Sequence, residues 1–322
     1  MSNFEKKEVY NNLNRKSYGP VLMQHKAGEV EYLTFPALED TGVVEHVIAT
    51  RLGGVSKGIF DSMNLSFTRG DDPAAVEENF RRMAVTMHAD MDDVVFTEQT
   101  HTTNVRVVTD EDRGKGLTRD RDYTDIDGLV TNVPGVVLTT FFADCVPLFF
   151  VDPVHKAIGL SHSGWRGTVG KIGQHTLKVM AEQYGTDPKD VIAAIGPSIC
   201  QDCYEVSADV AEQFFGTFGD SLKKLEDEMK TGKLNQTDIQ KIDNIFTKAS
   251  NDTLAYKKEN GKYQLNLWFA NFLGMYEAGI PVSQISVTDL CTCCNPEYLF
   301  SHRATNGERG GLAAFMKLKG MI

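Results

Sequence analysis

The feature that most constrains this chain is a train of six short β-rich runs between Val94 and His162: VVFTEQ, NVRVV, DGLVTN, VVLTTFF, VPLFFVD and KAIGLSH. Runs that are apolar throughout, rather than alternating with polar residues, are those of strands buried on both faces. A sheet of that kind needs further layers to cover it, and the helical patterns of the chain supply them. Asp72-Pro73 followed by Val76, Phe80, Met83, Ala84 and Met87 predicts a helix with Asp72 as N-cap and proline at its first position. Glu77/Arg81 and Glu78/Arg82 are spaced for ion pairs on its outer side. After Gly167, Val169, Ile172, Leu177 and Met180 trace a second helix that stops at Gly185. From Asn266, Trp268, Phe272, Leu273 and Tyr276 mark a core helix stopped at Gly279 and Pro281.

EVEYLTF, GVVEHVIATR and VIAAIGP add strands, so the fold class is mixed α/β in layers. No internal repeat or low-complexity linker divides the chain, and a single domain over residues 27–322 is expected, preceded by a loose polar arm at 1–26. Residues from about 220 to 260, rich in lysine and acids, read as a partly helical surface insertion with little core.

A chain of 322 residues can bury a full core without disulfides, and 41% hydrophobic with 24% charged residues is the balance of a globular protein. A net charge of −11 works against a nucleic-acid partner, which needs a basic stripe. The most apolar stretch, Gly135 to Pro153, is broken by Asp144 and Pro147 and does not suit a membrane span. The opening MSNFEKKEVYNNLNRK has no apolar run of a secretory signal, so a cytoplasmic protein with reduced thiols or metal-bound cysteines is expected.

Polar residues at the edges of the apolar strands are the candidates for chemistry. His101 opens a turn in EQTHTTNV, Cys145 sits in FFADCVPLFF and His162 ends a strand in GLSHSGWRG. Cys145 and His162 are one strand-turn-strand apart, a spacing that can set two strand ends side by side. Two imidazoles and one thiolate suit a zinc site with an open fourth position. On spacing alone a blander reading leads, with Cys145 a buried thiol and the histidines bonded to backbone, because the three form no compact ligand motif. Copper takes the same ligands, but eight histidines without a His-x-His pair cannot readily build a trinuclear cluster. A third reading makes Cys145 a hydrolytic nucleophile with His162 as its base. Cys200-x-x-Cys203 and the group Cys291, Cys293 and Cys294 lie much farther apart than the roughly 15–20 residues of a zinc ribbon, which argues against a second metal. Arg51, ending a strand before a glycine turn, and Arg166, before a helix start, are candidates to hold phosphate or carboxylate.

TRLGGVS, MNLSF with GDDP, DGLVTNVPGVVLTTFFADCVPLFFVDP, HSGWRGT, AIGPSI followed by CYEV, and a closing SHR resemble, in the same order, the YfiH-type multicopper polyphenol oxidase (laccase) domain family. The resemblance implies a compact α-β-β-α layered fold and a metal site of His101, Cys145 and His162. Zinc is the expected ion, with copper the alternative. It further implies purine nucleoside chemistry: phosphorolysis of adenosine, inosine, guanosine and methylthioadenosine, and deamination of adenosine. A peptidoglycan-editing role has been assigned to relatives, and a non-catalytic zinc-binding module is the remaining alternative. By the family match Asn64 is a candidate sugar or phosphate contact, Arg303 a substrate contact and Asp144 a candidate proton carrier. An aspartate holding the turn is an equal reading of Asp144. The chain departs from the family pattern at Thr102, where glycine is usual, and at Arg303-Ala304 and Asn306-Gly307-Glu308-Arg309 near its end.

Overall fold

All six runs form strands in the computed structural model, which describes residues 13–16, 21–247 and 249–320. The chain opens with β1 (Met23–Ala27), β2 (Val30–Thr34), α1 (Pro36–Glu39), β3 (Val44–Ala49) and α2 (Pro73–Thr86). The six runs follow as β4 (Val94–Phe96), β5 (Val105–Val107), β6 (Gly128–Thr131), β7 (Val137–Phe142), β8 (Val146–Asp152) and β9 (Ala157–Ser163). Next come α3 (Trp165–Val169), α4 (Ile172–Tyr184), β10 (Ile192–Ile195), β11 (Glu205–Val206), α5 (Ala208–Thr231), α6 (Gln236–Phe246) and α7 (Asn251–Leu254). The chain closes with β12 (Ala255–Lys257), β13 (Tyr263–Leu265), α8 (Leu267–Glu277), β14 (Ile285–Val287) and β15 (Leu312–Leu318).

Two six-stranded sheets, ordered β1-β2-β3-β15-β7-β4 and β14-β10-β8-β9-β6-β5, stack face to face, and β11-β13-β12 form a small third sheet. Alternation along single strands shows the layering. On β15, Leu312, Ala314 and Met316 meet Phe149, Val151 and Leu160 of the second sheet, whereas Ala313 and Phe315 face Val76, Phe80 and Met83 of α2. On β8, Phe149 and Val151 face the first sheet, whereas Leu148 and Phe150 belong with Ile172, Leu177, Phe269 and Phe272 of α4 and α8. Both faces of both sheets are thus covered, which gives the α-β-β-α order and explains why these strands are apolar at every position. Among the described residues no helix is long and apolar enough to cross a membrane.

Several expectations are revised. Asp72 caps α2 through the Ala74 amide as expected, but Glu78 alone takes both arginines, with Arg81 Nε at 2.6 Å and Arg82 Nε at 2.8 Å. The helix after Gly167 is two helices, separated where Lys171 adopts a left-handed φ of 58°. Residues 220–260 do contribute core: Leu222, Leu225, Ile242 and Phe246 of α5 and α6 pack with Phe269 and Phe272 of α8. Their apolar residues are spaced along two amphipathic helices, so the polar faces dominate the local composition and hide the buried stripe. The arm is not uniformly loose either. Met23–Ala27 pairs with β2, Arg15 is ion-paired to the fully buried Asp289, and Lys16 Nζ lies 3.1 Å from Asp202. Residues 1–12 and 17–20, also assigned to the arm, lie outside the described residues.

His46, in β3, sits between the sheets beside Phe35 and Phe149, and its Nε2 accepts the Phe35 amide at 2.8 Å. Burial, reinforced by nearby His25, pushes its pKa down to about 3. Protonation would also turn the acceptor into a second donor facing an N–H. The unfolded chain binds this proton near pH 6.5, so the stability gained by keeping His46 neutral is full above that pH and is lost progressively below it, by about 1.4 kcal/mol per pH unit. Denaturant unfolding of the native protein and His46→Gln should therefore converge by about 2 kcal/mol between pH 6.5 and pH 5. Parallel curves across that window would refute the assignment.

Candidate active site

The β8–β9 hairpin builds the site. Its register sets Pro147 opposite His162 and Val146 opposite Ser163, so Cys145 and Gly164 lie just beyond the paired ends of neighbouring strands. His101 arrives from the loop after β4 with a left-handed φ of 66°. The ligand-capable atoms of His101, Cys145 and His162 all lie within 4.8 Å of one another, and the two imidazole rings are 5.0 Å apart at 78°. Gly164 is required at this point: a Cβ there would lie 2.6 Å from His101 Cδ2 and 3.2 Å from Cys145 Sγ, filling the space between the ligands.

Asp127, at the start of the β6 strand, holds this arrangement. Fully buried, its carboxylate accepts the amides of Thr100 at 3.1 Å, His101 at 3.2 Å and Thr102 at 2.8 Å, and the Thr102 hydroxyl at 3.0 Å. It also bonds His162 Nδ1 at 2.8 Å, which leaves Nε2 as the free ring nitrogen. Burial would raise the Asp127 pKa, but the His162 ring and the amides outweigh it and hold the carboxylate ionised. Burial likewise opposes ionisation of Cys145, yet His162 and His101 bring the thiol down to about 6. His162, disfavoured as a cation by burial, is raised to about 9 by Cys145 and Asp127. A thiolate, a buried imidazole oriented by a carboxylate and a second imidazole are the donors zinc takes in tetrahedral sites with an open position, and the space Gly164 leaves suits an ion.

The other residues singled out in the sequence have distinct places. Asp144, at a φ of 89° beside Cys145, accepts the hydroxyls of Thr292 at 2.6 Å and Ser301 at 2.7 Å and the Arg303 amide at 2.6 Å. The geometry favours its turn-holding role over proton transfer. Arg303 donates to the carbonyls of Cys203 and Glu205 at 3.0 and 3.2 Å and lies over the Tyr204 ring at 5.4 Å. Arg166 is exposed and stacks on Trp165 at 4.4 Å. Arg51 donates to the carbonyls of Asp61 and Pro296 at 2.9 and 2.6 Å and covers Phe300 at 4.6 Å, so its guanidinium braces loops. Asn64 is fully buried. Its amide donates to Ser66 O and Asp71, while its oxygen accepts Ser66 N and Gly311 N. All its hydrogen-bonding positions are thus engaged in fastening loops.

Sequence reasoning missed a cationic group on this side of the site. Arg309 is within electrostatic reach of Asp144, Cys145 and Arg69, and its guanidinium is pushed down to about 10 by burial first and by Arg69 second. Arg309 Nε is buried without a hydrogen-bond partner among the described residues. His302 is depressed by burial and then by Arg309, with Arg69 and Arg303 adding to it. Asp127 was also missed, although a charged residue opening an all-buried strand run was its signal.

A layered α-β-β-α protein with a two-histidine, one-cysteine centre at the mouth of a hairpin defines a class of candidate metalloprotein. The family model described as multi-copper polyphenol oxidoreductase laccase matches residues 45–245 and 233–319, and the chain belongs to that family. It is 36% identical over 274 residues to purine nucleoside phosphorylase YlmD of Bacillus subtilis, covering 84% of this chain and 87% of that protein. Adenosine deaminase RL5, from an unknown prokaryotic organism, is 31% identical over 263 residues, covering 81% and 88%. The crystal structure of YlmD from Geobacillus stearothermophilus superposes with a TM-score of 0.77 at 31% identity, covering 94% of this chain and 100% of that one.

Replacing Asp127 by asparagine removes the charge and sets an amide group against the donors around it. Asp127→Asn should lower zinc affinity about 10- to 100-fold in a chelator competition. An unchanged affinity would show that the ligands are positioned without this carboxylate.

Proposed function

We propose that this chain is a zinc-dependent purine nucleoside enzyme that carries out phosphorolysis of nucleosides such as adenosine, inosine, guanosine and methylthioadenosine, and deaminates adenosine. The observation that carries the proposal is the convergence of His101, Cys145 and His162, with the Arg309 guanidinium within electrostatic reach of Cys145. The names of the relatives supply the substrate class. His101, Cys145 and His162 would hold the zinc, which would supply a Lewis acid there.

The protein's own residues do the rest. Asp127 fixes the His162 ring and the His101 turn, so both imidazoles are oriented before substrate arrives. Arg309 and Arg69 hold phosphate, whose charge offsets their mutual repulsion. In phosphorolysis a phosphate oxygen bonds to the anomeric carbon, the glycosidic bond breaks, and its electron pair leaves on the base, which takes up the proton that the phosphate hydroxyl gives up. In deamination a water oxygen bonds to the amino-bearing ring carbon and ammonia departs. Tyr204, within electrostatic reach of Cys145, Arg303 and Arg166, offers an aromatic ring beside the site, and its phenol is kept protonated chiefly by burial. Beside the three-ligand group, the described residues offer only an all-cysteine cluster and no histidine-rich one, which gives the copper oxidase reading no support.

A second reading has its own observation, the row Cys145, His162 and Asp127, which has the nucleophile, base and orienting acid of a cysteine hydrolase. Chromatography of adenosine incubations separates the two. Free adenine formed only with phosphate, and inosine formed with or without it, are expected, and His101→Ala should reduce both about 100-fold or more. Arg69→Ala should raise the phosphate KM about tenfold while leaving inosine formation intact. A protein that yields neither product, and whose Cys145 is alkylated rapidly by iodoacetamide as purified, would be the hydrolase instead.

A further inference from the structure

Four of the remaining cysteines converge although their sequence spacing argued against it. β10 and β14 are parallel neighbours, with Ala193 opposite Ile285 and Ile195 opposite Val287, so the chain leaves both strands at the same end of the sheet. The two exits are then stitched by a bridge between Ser198 and Cys291 and by the Thr292 amide donating to Ser198 O at 3.1 Å. One exit carries Cys200 and Cys203 and the other Cys291 and Cys294, each pair with two residues between them. The four sulfurs all lie within 4.8 Å of one another. Cys294 Sγ is 3.5 Å from Cys203 Sγ and 3.9 Å from Cys200 Sγ.

These separations are far from the ~2.05 Å of a disulfide. A tetrahedral zinc with Zn–S bonds of ~2.3 Å spaces its sulfurs by about 3.8 Å, which the two distances bracket. Hydrogen-bond donors and a cation face the sulfurs. The amides of Cys200 and Cys294 both donate to Cys291 Sγ, at 3.2 and 3.4 Å, and Lys16 sits within electrostatic reach of Cys200 and Cys294 while held by Asp202. Cys200 and Cys291 are buried, which limits competition from water. Cys293, between the two ligands of its own turn, faces Cys203 and Ser301 and completes no second set of four.

We propose that Cys200, Cys203, Cys291 and Cys294 form a second, structural zinc centre, which clips together the loops after β10 and β14. No residue is shared with the His101, Cys145 and His162 cluster. The clip nevertheless bears on that site, because Thr292 within one turn bonds Asp144, and Arg303 bonds the carbonyl of Cys203. Zinc thus fixes the wall that holds Asp144 beside Cys145. Binding displaces the thiol protons to solvent and involves no change of oxidation state.

The test is metal analysis of the full chain purified in reductant, native and in two variants, followed by cobalt substitution. Native protein is expected to hold about two zinc ions per chain. His101→Ala/His162→Ala should keep one, and its cobalt form should show the intense sulfur-to-cobalt charge-transfer bands of a four-thiolate tetrahedral site. Cys200→Ser/Cys294→Ser should lose one and keep the other. If that variant does not fold, the cobalt spectrum of the histidine variant decides alone. A histidine variant that binds no zinc or cobalt overturns the proposal, as does mass-spectrometric detection of a disulfide among the four cysteines in the native protein.

Discussion

The candidate site depends on one buried carboxylate. Asp127 takes three consecutive backbone amides, a hydroxyl and an imidazole N–H, so a single side chain sets the path of the His101 turn and the orientation of the His162 ring. A charge buried in this way is tolerated because every lone pair is engaged. The backbone of Asp127 reinforces it, its carbonyl accepting the His162 amide at 2.7 Å. The layers behind it make this economical: β6, β8 and β9 are covered on both faces, so their ends cannot drift, and whatever projects from those ends is held by the core.

A second set of constraints runs through Asp144. Its carboxylate gathers Thr292, Ser301 and the Arg303 amide, drawing the C-terminal loops over the hairpin that carries Cys145 and His162. Those loops bring in Arg309, which is far from the hairpin in sequence and supplies positive charge in a protein whose net charge is −11. The two aspartates therefore divide the work, one ordering the ligands and the other ordering the wall beside them.

What was legible in the sequence follows from what local pattern can encode. The six β runs, the Asp72 cap and the Asn266 cap are read from neighbours along the chain and were correctly placed. The Cys145 to His162 relation was legible because a hairpin joins residues close in sequence. The amphipathic stripe of α5 and α6 was masked by its polar majority. The convergence of the cysteine pairs was not legible because only the parallel pairing of β10 with β14, a contact between distant segments, sets them together. The MNLSF word likewise does not show that the Asn64 side chain fastens loops as distant as Gly311, a contact only the fold supplies.

The central claim is that His101, Cys145 and His162 form one metal centre. Anomalous diffraction at the zinc edge from a crystal of protein purified without added metal tests it directly. The account predicts a peak about 2.0–2.3 Å from Cys145 Sγ, His162 Nε2 and a ring nitrogen of His101. A map with no peak among these three side chains would contradict it.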